Sequence, residues 1–336
     1  MIARPDPFVR CDPFVRCFVR CLVYAFVVMS VASANAQSYP TKPVRLVVAN
    51  AAGGSDDSHG RLVAQKLTES LGQQFLIDNR AGSGGTVARM FVAKSAADGY
   101  TLLLGAASMA MYQHMYAKPL GDPIRDFAPV SLVAKTYSVM VVHPSMPART
   151  VKEFIALART RGNKLNFGST GVGGGPHLNA ELFLSMAKIE ATHIPYKGAG
   201  AGLYVDMISG QLDFYFGPVI SALPYIAAGK VRPLAVSGAN RAAKLPLVPT
   251  MAEAALPGYE MSGWYGIFAP AGTPHEIILL LNAALVKQLS SPALREALIM
   301  VNSEPRSSTP EELSKHLADD IERYRLIVKL AGIQPQ

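Results

Sequence analysis

Two stretches of this chain share one arrangement, in which an apolar strand runs into a glycine-rich loop and then into a helix. The first combines a strand at 44–49, a loop at 51–57 and an amphipathic run at 60–71. The second combines a strand at 165–168, a loop rich in glycine up to residue 175 and a helix at 178–187. Glycine lets the backbone approach a bound group, and a helix start directs unpaired N–H groups into the loop. Each loop is therefore either an anion site or a simple tight turn.

Strands and helices alternate along most of the chain between residues 44 and 236. This alternation predicts an α/β fold with parallel strands joined by right-handed crossovers. Loops that follow parallel strands meet at one edge of the sheet. We therefore expect the loop at 106–109, which contains Ser108, to lie beside the loop at 51–57.

Two long extended passages, at 126–142 and 259–268, each lead through a proline-bracketed turn into a helix. We interpret them as two strands that cross between domains, with a chance likeness as the alternative. The sequence then predicts a first domain made of 37–137 and 260–336, into which a second domain, 138–259, is inserted. A chain of 336 residues suits two domains of this size. The two glycine loops would face each other across a cleft that holds a small anion.

The first 36 residues have the order of a secretory signal peptide. Arginines come first, an apolar run at 21–31 follows, and small residues end the segment at Ala36. We expect cleavage after Ala36 and an exported protein. Cys11, Cys17 and Cys21 all lie in this leader, so we expect neither disulfides nor thiolate metal sites in the mature chain.

Several classes of function are disfavoured by what the sequence lacks. The net charge is +8, but no dense block of Lys and Arg is present, which argues against nucleic acid as a partner. The sequence contains no nucleophile elbow, no His-Glu-x-x-His zinc motif and no Walker loop. We therefore expect no catalytic residues, no metal and no cofactor.

Short motifs throughout 38–333 match one known pattern. They are 39–48 (YPTKPVRLVV), 53–54 (GG) with Asp57, 78–85 (DNRAGSGG), 97–103 (ADGYTLL), 167–171 (FGSTG) with 176–177 (PH), 194–198 (IPYKG) and 264–274 (WYGIFAPAGTP). Together these motifs resemble the tripartite tricarboxylate transporter substrate-binding proteins, also called the Bug family.

The resemblance implies a two-lobed periplasmic binding protein-like fold of type II, which closes on its ligand like a Venus flytrap. It implies a small carboxylate as ligand and membrane permease subunits as partners. A sensor that signals to a membrane protein is one alternative, and a secreted hydrolase that uses the same cleft is another. We expect a monomer.

The resemblance also points to the residues that hold the ligand. In this family a ligand carboxylate lies between the first-domain loop and the second-domain glycine loop. Carried over, the candidate residues are Ala52, Gly53, Gly54, Ser55, Asp57, Ser108, Ser169, Thr170, Gly171, His177 and Tyr196. Asp57 could instead cap the first helix, and His177 could instead fill a turn without contacting the ligand.

The family commonly has Asp-Asn before the helix at Ser221, where this chain has Gly217 and Pro218. A carboxylate that could pair with a ligand ammonium is therefore missing from that position. We expect a plain carboxylate as ligand in preference to an amino acid.

Overall fold

The computed structural model describes residues 39–161, 164–196, 201–301, 303–330 and 332–334. The expected signal peptide and its cleavage after Ala36 lie outside the described residues. The helices and strands belong to one compact unit, Lys42–Gln336. Within that unit, a single sheet runs through two α/β lobes in the strand order β2-β1-β3-β9-β4-β7-β5-β6, with β8 and β10 paired to β4.

The first lobe begins with three parallel strands, as the alternating pattern predicts. The strands are β1 (Val44–Val48), β2 (Phe75–Asn79) and β3 (Thr101–Ala106), and the helices are α1 (Ser55–Leu71), α2 (Thr86–Ala93) and α3 (Ser108–Met115), with a 3-10 turn at Ser83–Gly85. Strand β1 lies between the other two. Leu46, Val47 and Leu102 are fully buried, because helices cover both faces of these strands.

The two predicted crossing passages are the long strands β4 (Phe127–Val142) and β9 (Ser262–Pro270). They pair antiparallel from Phe127 opposite Pro270 to Tyr137 opposite Ser262. Strand β9 also pairs antiparallel with β3, so the sheet of the first lobe is mixed and not wholly parallel. The C-terminal end of β4 lies in the second lobe, so this strand is part of both lobes. The domain boundaries at 137/138 and 259/260 stay a prediction.

The second lobe repeats the alternation of strands and helices. Its elements are α4 (Val151–Arg161), β5 (Asn166–Ser169), α5 (Gly175–Ala187), β6 (Thr192–Pro195), α6 (Ala201–Ile208), β7 (Phe214–Pro218), α7 (Val219–Ala227), β8 (Arg232–Val236) and α8 (Met251–Ala254). Strand β5 is parallel to β6 and β7, whereas β7 and β8 run antiparallel to β4. The core is aromatic: Phe154 packs edge-on against Phe214, and Phe167 stacks on Phe214.

The chain then returns to the first lobe. The returning elements are α9 (His275–Ser290), α10 (Pro292–Met300), β10 (Ser303–Pro305) and α11 (Pro310–Leu330). The sequence predicts helices near 275–289, 292–300 and 310–331, and all three are present; it does not predict β10. In the described part of the chain no single helix is long and apolar enough to cross a membrane; α9 and α10 reach that length and composition only as a pair bent by 76°.

Both glycine loops are shorter than the sequence suggests, because the helices after them begin earlier. Helix α1 begins at Ser55 and not at Gly60, and α5 begins at Gly175 and not at Leu178. Asp57 and His177 therefore lie in the first turns of helices and not in open loops. This difference decides what their side chains contact.

Candidate functional site

A cavity of about 420 Å³ lies between the two lobes. Its wall takes residues from the first lobe, from both crossing strands and from the second lobe. Polar groups on the wall include Asn50, Ser55, Asp56, Ser108, Thr136, Ser138, Asn179, Ser262 and Tyr265, and the larger apolar groups include Met111, Ile220, Met261 and Trp264. Because both lobes contribute, any movement about β4 and β9 changes the shape of the cavity.

Four helices begin at this cavity. Ser55, Ser108 and Gly175 are the first residues of α1, α3 and α5 and lie on its wall, and Pro218 and Ile220 bring the start of α7 to it. In these four described helices no side chain is hydrogen-bonded to the start as a cap. The positive ends of four helix dipoles, none of them capped by a side chain, therefore lie at one small volume, which favours an anion there.

Asp57 shapes the first loop and does not line the cavity. Its Oδ2 accepts hydrogen bonds from the Gly53 N–H and from Arg61 Nε, both at 2.9 Å, and its Oδ1 accepts one from Asn79 Nδ2 at 3.0 Å. The hydrogen bond from Arg61, followed by that from Gly53, lowers the pKa of Asp57 to about 2. The carboxylate therefore stays charged and holds Gly53 against the start of α1. Asp57 does not cap this helix, because Gly54 is the N-cap and Asp57 is the third helical residue.

Asp56, the preceding residue, points the other way and lies on the cavity wall. Its Oδ1 accepts a hydrogen bond from the Tyr265 hydroxyl at 2.8 Å, and its Oδ2 accepts one from Asn50 Nδ2 at 2.5 Å. Tyr265 is also 3.1 Å from Ser55 Oγ and stacks on His59 at 4.1 Å. These contacts hold the Asp56 carboxylate in a fixed orientation.

Two histidines stabilise the second glycine loop through hydrogen bonds. His177 Nδ1 accepts a hydrogen bond from the Gly173 N–H at 2.9 Å. His193 Nε2 lies 2.6 Å from Ser169 Oγ, which in turn accepts a hydrogen bond from the Gly171 N–H at 3.1 Å. Burial, followed by the neighbouring His177, lowers the pKa of His193 to about 4. Ser169 and His177 are themselves buried, so their polar atoms hold the loop in shape.

The structure thus sorts the sequence-predicted site residues into two groups. Ser55 and Ser108 line the cavity. The others lie in the two flanking loops, in the first turns of α1 and α5, or at the ends of β5 and β6: Ala52, Gly53, Gly54, Asp57, Ser169, Thr170, Gly171, His177 and Tyr196. Tyr196 donates its hydroxyl to the Asp206 carboxylate, and burial followed by that hydrogen bond raises its pKa to about 12.

Sequence reasoning missed several residues of the wall, among them Asn50, Asp56, Asn179, Trp264 and Tyr265. Asp56 carries a usable signal, since two consecutive aspartates open a helix and adjacent helical residues point about 100° apart. Tyr265 carries none, because it reaches the cavity only through the pairing of β9 with β3, which places it opposite Ala106. In the described parts of the chain no group of His, Cys, Asp or Glu is arranged to hold a metal ion.

Comparison with known proteins places this arrangement in a family. Residues 60–333 match the model of the tripartite tricarboxylate transporter family receptor. Protein BugT of Bordetella pertussis is 34% identical over 303 residues, covering 90% of this chain and 93% of that protein. Two solved structures are similar along their whole length.

The structure of R. palustris Rpa4515 with adipate has a TM-score of 0.74 and 37% identity, and covers 89% of this chain and 100% of its own. The structure of MatC from Rhodopseudomonas palustris with bound malate has a TM-score of 0.70 and 30% identity, and covers 86% and 100%. These matches agree with the two-lobed α/β architecture. The chain belongs to the tripartite tricarboxylate transporter family of periplasmic solute-binding receptors, the Bug family.

Proposed function

We propose that this protein captures a small carboxylate in the cavity between its lobes and delivers it to a tripartite tricarboxylate-type permease. The observation that carries the proposal is the convergence of four uncapped helix starts, those of α1, α3, α5 and α7, on one cavity. Backbone N–H groups at helix starts bind carboxylates without any cationic side chain. The adipate and malate bound by two related proteins are ligands of this chemical class.

In this proposal the predicted site residues have two roles. Ser55 and Ser108 contact the ligand from the wall of the first lobe. Ala52, Gly53, Gly54 and Asp57 set the shape of the first loop, and Ser169, Thr170, Gly171, His177 and Tyr196 set the shape of the second lobe opposite. The ligand bridges both sets and favours the closed arrangement of the lobes.

The cellular setting follows from the same proposal. The protein is exported by a signal peptide cleaved after Ala36, acts in the periplasm as a monomer, and hands its ligand to membrane permease subunits. The domains are those predicted, with 138–259 inserted between 37–137 and 260–336, and β4 and β9 act as the hinge. The cavity is assigned no catalytic residue, because its task is to bind and release an unchanged ligand.

Isothermal titration calorimetry on protein purified from the periplasm tests the proposal. The panel contains mono-, di- and tricarboxylates, together with inorganic phosphate and nucleotides. We expect saturable binding of at least one carboxylate. A protein that binds only phosphate or nucleotides, or that turns over the carboxylate it binds, would overturn the proposal.

Two serines of the first helix supply a matched pair of variants. Ser55 lies on the cavity wall, whereas Ser58 lies three residues later and donates its hydroxyl to the Gly54 carbonyl at 3.1 Å. Replacing Ser55 by Ala removes a hydroxyl from the wall, and we expect the affinity to fall several-fold. Replacing Ser58 by Ala should leave the affinity within about twofold, since this side chain is not on the wall.

A further inference from the structure

The charge on the cavity wall says more about the ligand than that it is a carboxylate. We propose that Asp56 selects ligands that carry a hydrogen-bond donor, a hydroxyl or an ammonium, on the carbon chain beside the carboxylate. This inference rests on the proposed function, because it names the class of carboxylate that the same cavity takes. Asp56 is then a specificity-determining residue for that ligand.

The first step is the position of Asp56 on the wall. Among the described residues that line the cavity, Asp56 is the only one with a charged side chain; no Lys, Arg or His is among them. A ligand carboxylate is therefore bound by neutral donors at the helix starts, and any part of the ligand near Asp56 meets a negative charge. Asp56 itself lies in the first turn of α1, where the helix dipole favours a carboxylate.

The second step is the hydrogen-bonding capacity that Asp56 retains. A carboxylate offers about four acceptor positions on its two oxygens. Among the described residues, two groups occupy these positions: the Tyr265 hydroxyl at 2.8 Å and Asn50 Nδ2 at 2.5 Å. The remaining positions can accept a donor from the ligand but can only repel a second carboxylate. An ammonium gains more than a hydroxyl, because it also neutralises the charge.

The third step compares this wall with the one expected from the sequence. The absence of an acidic residue at Gly217 and Pro218 predicts a plain carboxylate ligand. In the structure Pro218 does line the cavity from the second lobe, but Asp56 supplies a carboxylate from the first lobe. In this proposal the group that accepts the ligand's donor is Asp56 of the first lobe and not a residue at 217–218 of the second. The proposal therefore replaces the expectation of a plain carboxylate with that of a carboxylate that carries a donor.

Pairs of ligands with the same carbon skeleton test the inference. Succinate, malate and aspartate form a four-carbon set, and adipate with 2-aminoadipate forms a six-carbon pair. We compare ligands within whichever of the two sets the wild type binds. Calorimetry should show that the donor-bearing ligand of that set binds about tenfold more tightly, or better, than the plain diacid. In Asp56→Asn the preference should shrink to about twofold or less, and the plain diacid should bind more tightly than it does to the wild type.

The control variant is Glu296→Gln, which removes an exposed negative charge from α10, away from the cavity wall. It should leave both affinities and their ratio unchanged. Circular dichroism and the unfolding midpoint establish that Asp56→Asn is folded, and Asp56→Ser provides a second variant without the charge.

The outcomes separate this inference from the proposed function. If the wild type binds carboxylates but prefers plain diacids, or if its preference survives in both Asp56 variants, only the role of Asp56 is overturned. If the wild type binds none of these carboxylates and none in the larger panel, the receptor proposal falls together with it.

Discussion

The imidazole rings of His177 and His193 stack with their centroids 3.9 Å apart and their planes inclined by 12°. His177 lies in the first turn of α5 and accepts a hydrogen bond from the Gly173 N–H, whereas His193 lies on β6 beside Ser169. The pair therefore braces both ends of the second glycine loop. This stacking disfavours protonation of His193, because the added charge would face the His177 ring at short distance.

We expect this pair to make the protein less stable in mild acid. The pKa of His193 is lowered from 6.5 to about 4, first by burial and then by His177. In the unfolded chain the group takes up its proton near pH 6.5, but in the folded protein it does so only near pH 4. Its contribution to stability is therefore complete above pH 6.5 and is lost progressively as the pH falls towards 4.

Thermal unfolding of the wild type and of His193→Gln between pH 7.5 and 4.5 measures this contribution. Because the ring is partly exposed, solvent screening limits the expected loss to about 1 kcal/mol. Glutamine can still form a hydrogen bond with Ser169 Oγ but cannot take up the proton, so the variant should lose less stability over this range. If the stability of the two proteins falls equally with decreasing pH, another group is responsible for the pH dependence.

The neighbouring aspartates of α1 should differ sharply in their effect on stability. Asp57→Asn places an amide where the carboxylate accepts hydrogen bonds from Gly53, Arg61 and Asn79. The variant loses the negative charge and places the amide NH₂ group against one of these donors. We expect the free energy of unfolding to fall by about 1–3 kcal/mol. Ligand affinity should fall as well, because Gly53 is released from its position.

The matched control is Asp56→Asn, one residue away on the same helical turn. Its side chain can still accept the Tyr265 hydrogen bond, so the loss of stability should be less than half of that in Asp57→Asn. Chemical denaturation of both variants without ligand provides the comparison. Equal losses would mean that the anchoring of the first loop does not depend on Asp57.

These two aspartates also show which features could be predicted from the sequence and which could not. The strand, the loop and the helix around them follow from periodicity and glycine content, and so does the meeting of loops at one edge of the sheet. The direction of each side chain depends on where the helix begins. A start at Gly60 leaves both aspartates in an open loop, whereas the observed start at Ser55 turns one towards the loop and the other towards the cavity.

The rest of the wall depends on pairing between distant segments. The length of β4 and β9 and the prolines after them predict that they cross between lobes, but not that β9 inserts antiparallel between β3 and β4. That insertion brings Trp264 and Tyr265 to the cavity. Helix α3 was missed for a local reason, since Ala107 precedes it and no capping residue marks its start.

The close approach of Gly173 to Met115 should control how fully the lobes close. Gly173 lies in the second-lobe loop with φ +73°, and a Cβ there would be 2.0 Å from Met115 Cε at the end of α3 in the first lobe. In Gly173→Ala the methyl group overlaps the flexible end of the Met115 side chain, which must move, and backbone strain adds about 1–2 kcal/mol. We expect ligand affinity to fall by about tenfold or more, because the ligand must also overcome this strain to hold the lobes together.

Two further variants separate the collision from the strain. Gly171→Ala has a positive φ of +126° but no atom within 4 Å of the new methyl group, so it should show strain alone. Adding Met115→Ala to Gly173→Ala should recover part of the lost affinity. Calorimetry measures the affinities, and small-angle scattering reports whether Gly173→Ala stays open when ligand is present. No recovery in the double variant would rule out Met115 as the obstacle.

Trp264 should report ligand binding directly through its fluorescence. It is the only tryptophan in the chain, lies on the cavity wall, and is 1% exposed. Its indole Nε1–H donates to the buried Asp320 carboxylate at 2.6 Å, which holds the ring in one orientation. A ligand that enters the cavity and closes the lobes changes both the polarity and the charge near this ring. We therefore expect a saturable change in emission whose midpoint matches the calorimetric Kd, while free N-acetyltryptophanamide shows no change with the same ligand. Unchanged emission at concentrations where calorimetry records binding would place the ligand away from this cavity.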